Sequence, residues 1–371
     1  MTPYFRDLKD RIDAHGGLFN AHLHLDRAGT YHGTVEIFEA QGVADGTALP
    51  LSGKHAVIPA IHASALYDPD ALEARVGGFV EDMIACGTTR ADSVVDTTTD
   101  RVGLTALEAF ARLKARYAGQ IDLRFGAYSP AGFRDDEPAR WDLLVAGAAM
   151  ADFIGLLPER DDTADYPEHI GFETACRRAL ALAHDNGQQI HIHVDQANHV
   201  HEDGSALIAR VVRDMGLGRP AGAEPFVWLI HVISPSAYDE GRFAALAAEL
   251  AALNIGVICC PAAALSMRQY RPLHTPTHNS IARVLELVLA GVQVRIGGDN
   301  VCDITSPMGT PNLMDEVRVL GDALRYYDID FLARIAAGKP IDDAGKARLR
   351  AHLETDARFV EAVVRRVSAQ A

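Results

Sequence analysis

The 371-residue sequence has only five cysteines, an odd number, and none are spaced as Cys-x-x-Cys. A disulfide framework is therefore not indicated, and free thiols in a reduced, cytoplasmic setting are the simple expectation. Aromatic residues are few, at 7%. No uninterrupted apolar run reaches the roughly 18 residues of a membrane span. There is no basic block, no low-complexity tract and no internal period of the kind that builds solenoids. Positive charge is the minority, with 35 Lys and Arg against 50 Asp and Glu and a net charge of -15. Such a chain repels nucleic acid and anionic membranes, which leaves a small molecule as the expected partner. The opening MTPYFRDLKDRID is charged from the start and lacks the apolar core of a secretory signal, which again fits a cytoplasmic protein.

What the chain does have is apolar residues, 48% of the total, arranged in a rhythm. Short apolar runs read as strands at Leu18–His22, Thr89–Val95, Ile121–Ala127, Phe153–Leu157, Gln189–Val194, Phe226–His231, Gly256–Cys260 and Gln293–Ile296. Between them lie helical patterns at Asp70–Ala85, Leu104–Ala118, Trp141–Met150, Glu173–Asn186, Asp203–Met215, Ser236–Leu253 and Ile281–Ala290. Asp68-Pro69 is a start signal for the first of these, and Asn186-Gly187 a stop signal for the fourth. Strands alternating with helices imply a parallel sheet, and eight of them suggest a closed (β/α)8 TIM barrel, with a doubly wound open sheet as the rival. Two regions fall outside the rhythm. Gly29–Pro59 reads as a long loop able to form a lid. Val301–Ala371 reads as helices packed on the barrel exterior, so that residues 1–371 form a single domain.

The polar residues that end these apolar runs carry the chemistry. His22 and His24 stand two apart, on one face of the first strand. His193 closes strand five, His231 closes strand six and Asp299 closes strand eight. In a (β/α)8 barrel the C-terminal strand ends share one face, where active sites are built. Imidazoles converging there suit a divalent metal ion.

With those residues in place, the chain resembles the metal-dependent amidohydrolase superfamily, and within it the cytosine deaminase branch. The segments that carry the likeness are FNAHLHLDR at strand one, ADFIGLLPE at strand four, HIHVDQ at strand five and GDNVCDITSPMGTPNLMDEV at strand eight. The resemblance covers nearly the whole barrel and implies an amidohydrolase-type fold; in this chain no substantial flanking β-sandwich is expected beside it. It implies one divalent metal ion held by His22, His24, His193 and Asp299, because no lysine ends strand four to bridge a second. Zn²⁺ is the first candidate, with Fe²⁺ and Mn²⁺ as alternatives. It also implies that Asp299 relays a proton from the activated water and that His231 stabilises developing charge.

The chain departs from that branch at three places. Gln196 stands where the branch keeps a proton-carrying Glu, Asn300 replaces an acid after Asp299, and the pyrimidine-reading Gln falls at or near Pro130. Cytosine deamination itself is therefore not the expectation. The expected reaction is attack of water on a C=N or C=O carbon of a small polar N-heterocycle or cyclic amide, releasing ammonia or an amine or opening the ring. Displacement of an alkylamine or sulfide and a non-catalytic metal-containing binding protein remain the alternatives. Arg27, Gln196, Asn300 and Arg268 are the candidate substrate contacts, and Arg27 and Arg268, with Arg271 and His274, would suit an anionic group. His191, one layer deeper than His193, reads as a satisfied core histidine. His55, His62, His199 and His201 read as solvated or lid residues. Cys259 and Cys260 read as core fillers, and Asp303 as orienting the site or capping a helix. Barrels of this kind often form homo-oligomers, but no interface motif is legible.

Overall fold

The computed structural model describes residues 2–268 and 280–368. Eight strands appear where the apolar runs place them, each within one residue at either end. They are β1 (Leu18–Leu23), β2 (Thr88–Asp96), β3 (Asp122–Tyr128), β4 (Phe153–Leu156), β5 (Gln189–Val194), β6 (Val227–His231), β7 (Gly256–Cys259) and β8 (Val294–Ile296). Neighbours in sequence are neighbours in the sheet, and every pair is parallel. The residues after β8 close the ring: His24 N–H donates to the Asp299 carbonyl at 3.1 Å, and Asp299 N–H donates to the His22 carbonyl at 2.9 Å. The open-sheet alternative is thereby removed. Among the described residues all eight strands belong to this one sheet, and no helix is long and apolar enough to cross a membrane.

Large side chains fill the barrel interior. Phe19, Ala21, Trp228, Ile230, Ile258 and Cys260 form one buried cluster, and Val94, Tyr128, Phe153 and Leu157 another. Glycine makes room for them. A Cβ on Gly256 would stand 2.4 Å from the Trp228 ring, so only glycine lets β6 and β7 pair around that indole. A second, larger apolar layer lies between the strands and the surrounding helices.

Among the helices, those expected over Trp141–Met150, Ser236–Leu253 and Ile281–Ala290 run over Pro138–Ala148, Glu240–Leu253 and Val284–Ala290, a short helix at Pro261–Leu265 was not expected, and four larger differences stand out. The 29–59 region is not a loop: it holds helices at Tyr31–Ala40 and Leu51–His55 and leads into a third at Ile58–Ala63. Asp68 occupies the N-cap position of helix Pro69–Ala85, but its carboxylate pairs with Arg101 instead of capping. A helix at Pro3–Ala14, masked in the sequence by its charge, packs on helix Ile329–Ala336 and is tied there by Arg11 to Asp330 at 2.7 Å. Helices Leu313–Leu324 and Ile329–Ala336 pack against the barrel as expected. Helix Asp343–Ser368 does so only over its first part, where Gly345 and Leu349 are buried; residues 357–368 are all exposed.

Candidate metal centre

Three strand ends deliver four donors to one point. His22 and His24 come from the end of β1, His193 from β5 and Asp299 from the turn after β8. The strand-one ladder shifts register between Asn20 and Leu23. That shift lets His22 face the interior directly after inward-facing Ala21. The His193 Nε2 atom lies 3.1 Å from His22 Nε2 and 3.3 Å from His24 Nε2. Asp299 Oδ1 lies 3.4 Å from both His22 Nε2 and His24 Nε2. A tetrahedral zinc site with bonds of about 2.0–2.1 Å has edges of about 3.3–3.4 Å. The donor set and its spacing therefore fit one divalent ion. His193 Nδ1–H donates to the Leu156 carbonyl at 3.1 Å, which leaves its Nε2 lone pair aimed at the centre. Burial pushes the His22 and His193 imidazoles down to about 3, so both are neutral at physiological pH, the form in which an imidazole can bind a metal.

The backbone is strained around this point. Of the eight non-glycine residues with positive φ among those described, six lie at the end of β6 or in the segments after β5, β6 and β8: Asp195, Asn198, His231, Val232, Asp299 and Cys302. Left-handed backbone at a β-branched residue such as Val232 (φ 51°) is costly and must be held by its surroundings. Asp195 provides part of that hold. Its carboxylate accepts from the N–H groups of Gly204 and Ser205, and its carbonyl accepts from Ile233 and Ser234. The strain has a consequence for His231. Trp228 and Ile230 point inward on β6, so simple alternation would turn residue 231 out. With φ 78° its ring instead lies 5.7 Å from the His193 ring and 6.2 Å from that of His22.

A small cavity of about 40 Å³ sits over the cluster, with Arg27, Leu51, His55, Tyr128, Gln196 and Asn300 in its wall. Leu51 and His55 come from the short helix in the region expected to be a loop. Arg27 forms a buried two-pronged ion pair with Asp96 at the end of β2, Nε to Oδ2 at 2.8 Å and Nη2 to Oδ1 at 2.5 Å. His62, far from solvated, is buried between Asp96 (3.1 Å) and Asp100 (2.7 Å). Burial opposes its charge, but hydrogen bonds to Asp100 and Asp96 outweigh this and raise its pKa to about 9. Burial and the neighbouring Asp96 charge raise Asp26 to about 6.

Gln196 donates from Nε2 to Glu159 Oε2 at 2.8 Å. Burial and the charges of Glu202 and Asp195 hold Glu159 well above the usual carboxylate range. Asn300 is buried and donates to Asp303, whose other oxygen accepts from Thr305 and Ser306. Arg268 does not reach the metal cavity. It lies at an adjoining cavity of about 430 Å³, beside Glu159 and Glu202, and donates to the Ala48 carbonyl. Arg271 and His274 lie outside the described residues. A further cavity of about 340 Å³ shares His55 with the first and is lined by Arg140, Arg160, Thr98 and Ser129. His191 is core, stacked 4.2 Å from Phe153, but neither ring nitrogen has a partner, so it is not satisfied. Cys259 and Cys260 are buried, and burial raises the Cys259 thiol to about 12, which makes it inert.

Sequence reasoning missed Asp96, His62, Tyr128 and Glu159. Asp96 had a visible signal, since it ends the run SVVD at a strand C-terminus just as the named site residues end theirs. His62 had none, because its partners are 34 and 38 residues away.

The fold is a (β/α)8 barrel with a cluster of potential metal ligands at the C-terminal ends of its strands. The chain shares this barrel with 5-methylcytosine deaminase from Klebsiella pneumoniae, solved with 5-fluorocytosine, at TM-score 0.73 and 22% identity over 90% of this chain and 75% of that one. N-isopropylammelide isopropylaminohydrolase from Burkholderia multivorans matches at TM-score 0.65 and 22% identity, over 90% and 74% of the two chains. Atrazine chlorohydrolase from Arthrobacter aurescens, complexed with zinc, matches at TM-score 0.56 and 16% identity, over 87% and 69%. In sequence, an uncharacterized protein of Haemophilus influenzae is 28% identical over 286 residues, covering 76% of this chain and 94% of that one. No protein-family model matches.

Proposed function

We propose that this protein is a metal-dependent hydrolase that uses water to attack a C=N or C=O carbon of a small polar N-heterocycle or cyclic amide. The observation that carries the reading is the convergence of His22, His24, His193 and Asp299 at distances that fit one ion. Zinc is the first candidate, in keeping with the zinc-complexed chlorohydrolase that shares the fold, and iron(II) or manganese(II) are the alternatives. When bound, such an ion lowers the pKa of water towards about 7 and so supplies hydroxide near neutral pH.

The chain's own residues do the rest. Asp299, at the cluster, accepts the proton that water loses and passes it to the departing amine. His231 is neutral, since burial pushes its pKa to about 3, so its single N–H is available to an oxygen or nitrogen gaining negative charge. Gln196 and Asn300 offer amide groups to the ring's edge. Arg27 is held in place by Asp96 and presents its remaining N–H groups. An anionic arm on the substrate would be received beyond His55 by Arg160, which no carboxylate pairs among the described residues. We take residues 1–371 as one functional unit, working in the cytoplasm.

The test starts with purification without chelator and metal analysis, which should find one divalent ion per chain. The loaded protein is then offered cytosine, 5-methylcytosine, N-isopropylammelide and related cyclic amides, with and without carboxylate substituents. Ammonia or amine release with turnover supports the reading. Full turnover by Asp299→Asn with its metal retained would sink the mechanism, and absence of metal would sink the site. The isopropylaminohydrolase that shares the fold is the observation that keeps alkylamine displacement as a second reading.

A further inference from the structure

Helix Asp343–Ser368 has two halves with different surroundings. In the first, Gly345 and Leu349 are buried, Leu353 packs on the core, Arg348 pairs with Asp328 at 2.6 Å and the His352 ring lies on Tyr326. In the second, residues 357–368 are all exposed, and every side-chain hydrogen bond recorded after Glu354 stays within the helix. This is an arm of twelve residues, about 18 Å long, standing away from the barrel. Five of the nine large hydrophobic residues exposed on the described surface lie on it: Phe359, Val360, Val363, Val364 and Val367, each 49–69% exposed.

Their spacing is not scattered. At about 100° per residue they occupy one arc of about 140°, while Arg358, Glu361 and Arg365 lie opposite. The arc continues the line of Leu349 and Leu353, the same line that is buried against the barrel. Four of the five are valine, a β-branched residue that weakens an isolated helix. A free segment of about 12 residues is marginal in water even with favourable composition, so this one needs a covered apolar face.

We infer that this arm pairs, antiparallel, with the same arm of a second copy of this chain. Charge decides both the occupant and the direction. Asp356 falls within the apolar line at the barrel end of the arm, and Arg366 flanks it at the far end. A parallel pair would bury Asp356 against Asp356. An antiparallel pair centred between Glu361 and Ala362 places Phe359 opposite Val364 and Val360 opposite Val363, and it brings each Asp356 beside Arg366 of the other copy. The face is thus complementary to itself in one orientation.

Light scattering on a sizing column, from dilute to concentrated solution, tests this on the full chain. Wild type should be a dimer. Val360→Glu/Val363→Glu should be a monomer with unchanged near-ultraviolet dichroism, since both side chains are exposed and belong to no packed cluster among the described residues. Arg366→Glu should weaken the dimer about tenfold, and adding Asp356→Arg should restore it. A wild type that is monomeric at every concentration, a double glutamate variant that remains dimeric, or a monomer that co-sediments with anionic phospholipid vesicles through this face would each overturn the inference.

Discussion

Replacing His62 by glutamine should remove a pH dependence that belongs to this residue and the carboxylates around it. His62 sits between Asp96 and Asp100 at 3.1 and 2.7 Å, and its pKa rises from 6.5 to about 9. A histidine whose folded pKa lies above its unfolded value contributes stability that is fully present below about 6.5 and is lost as pH rises through 9. The shift of about 2.5 units corresponds to about 3 kcal/mol at 1.36 kcal/mol per unit. Other buried acids titrate in the same window: Glu202, Glu316 and Asp161 at about 7, Asp26 at about 6, and Glu159 well above its ordinary value. They remain in both proteins, but the His62 charge also holds down Asp26, Asp96 and Asp100, so the difference between wild type and variant reports His62 together with the carboxylates it faces. Urea unfolding at pH 6, 7.5 and 9.5 gives the stability of each. The variant should be less stable at pH 6, and the gap should shrink by about 3 kcal/mol by pH 9.5. A gap that stays constant within about 1 kcal/mol would refute the view that His62 is a cation clamped by two carboxylates.

Asp96→Asn leaves Arg27 and His62 buried without their shared counter-charge, so urea denaturation at neutral pH should show a loss of about 3–5 kcal/mol. Arg325, exposed and left-handed at φ 52° after helix Leu313–Leu324, should accept glycine with a gain of about 0.5–1 kcal/mol, read as a raised urea midpoint with unchanged slope. Stripping metal should lower the unfolding temperature, and zinc at about a hundred times its Kd should return about 2.7 kcal/mol; His193→Ala should show no such recovery.

Much of the architecture was legible along the chain because strands and crossover helices have different apolar periods, and those periods depend on local geometry alone. The C-terminal ends of the runs then marked His22, His24, His193, His231 and Asp299 as a group before any contact was known. The fold could not be separated from an open sheet that way, since closure rests on hydrogen bonds between His22, His24 and Asp299, residues 275 and more apart. Nor could alternation show how His22 and His231 enter the site. One needs a register shift in β1, the other a left-handed residue at the end of β6, and both are imposed by neighbouring strands. Residues such as His62, Asp96 and Glu159 become a network only when distant loops meet over the barrel. The stretch FVEAVVRRV read as one more helix to be packed on the exterior. Its apolar line was plain in the sequence, but only the tertiary structure showed that the barrel ends before the helix does, leaving that line exposed among the described residues.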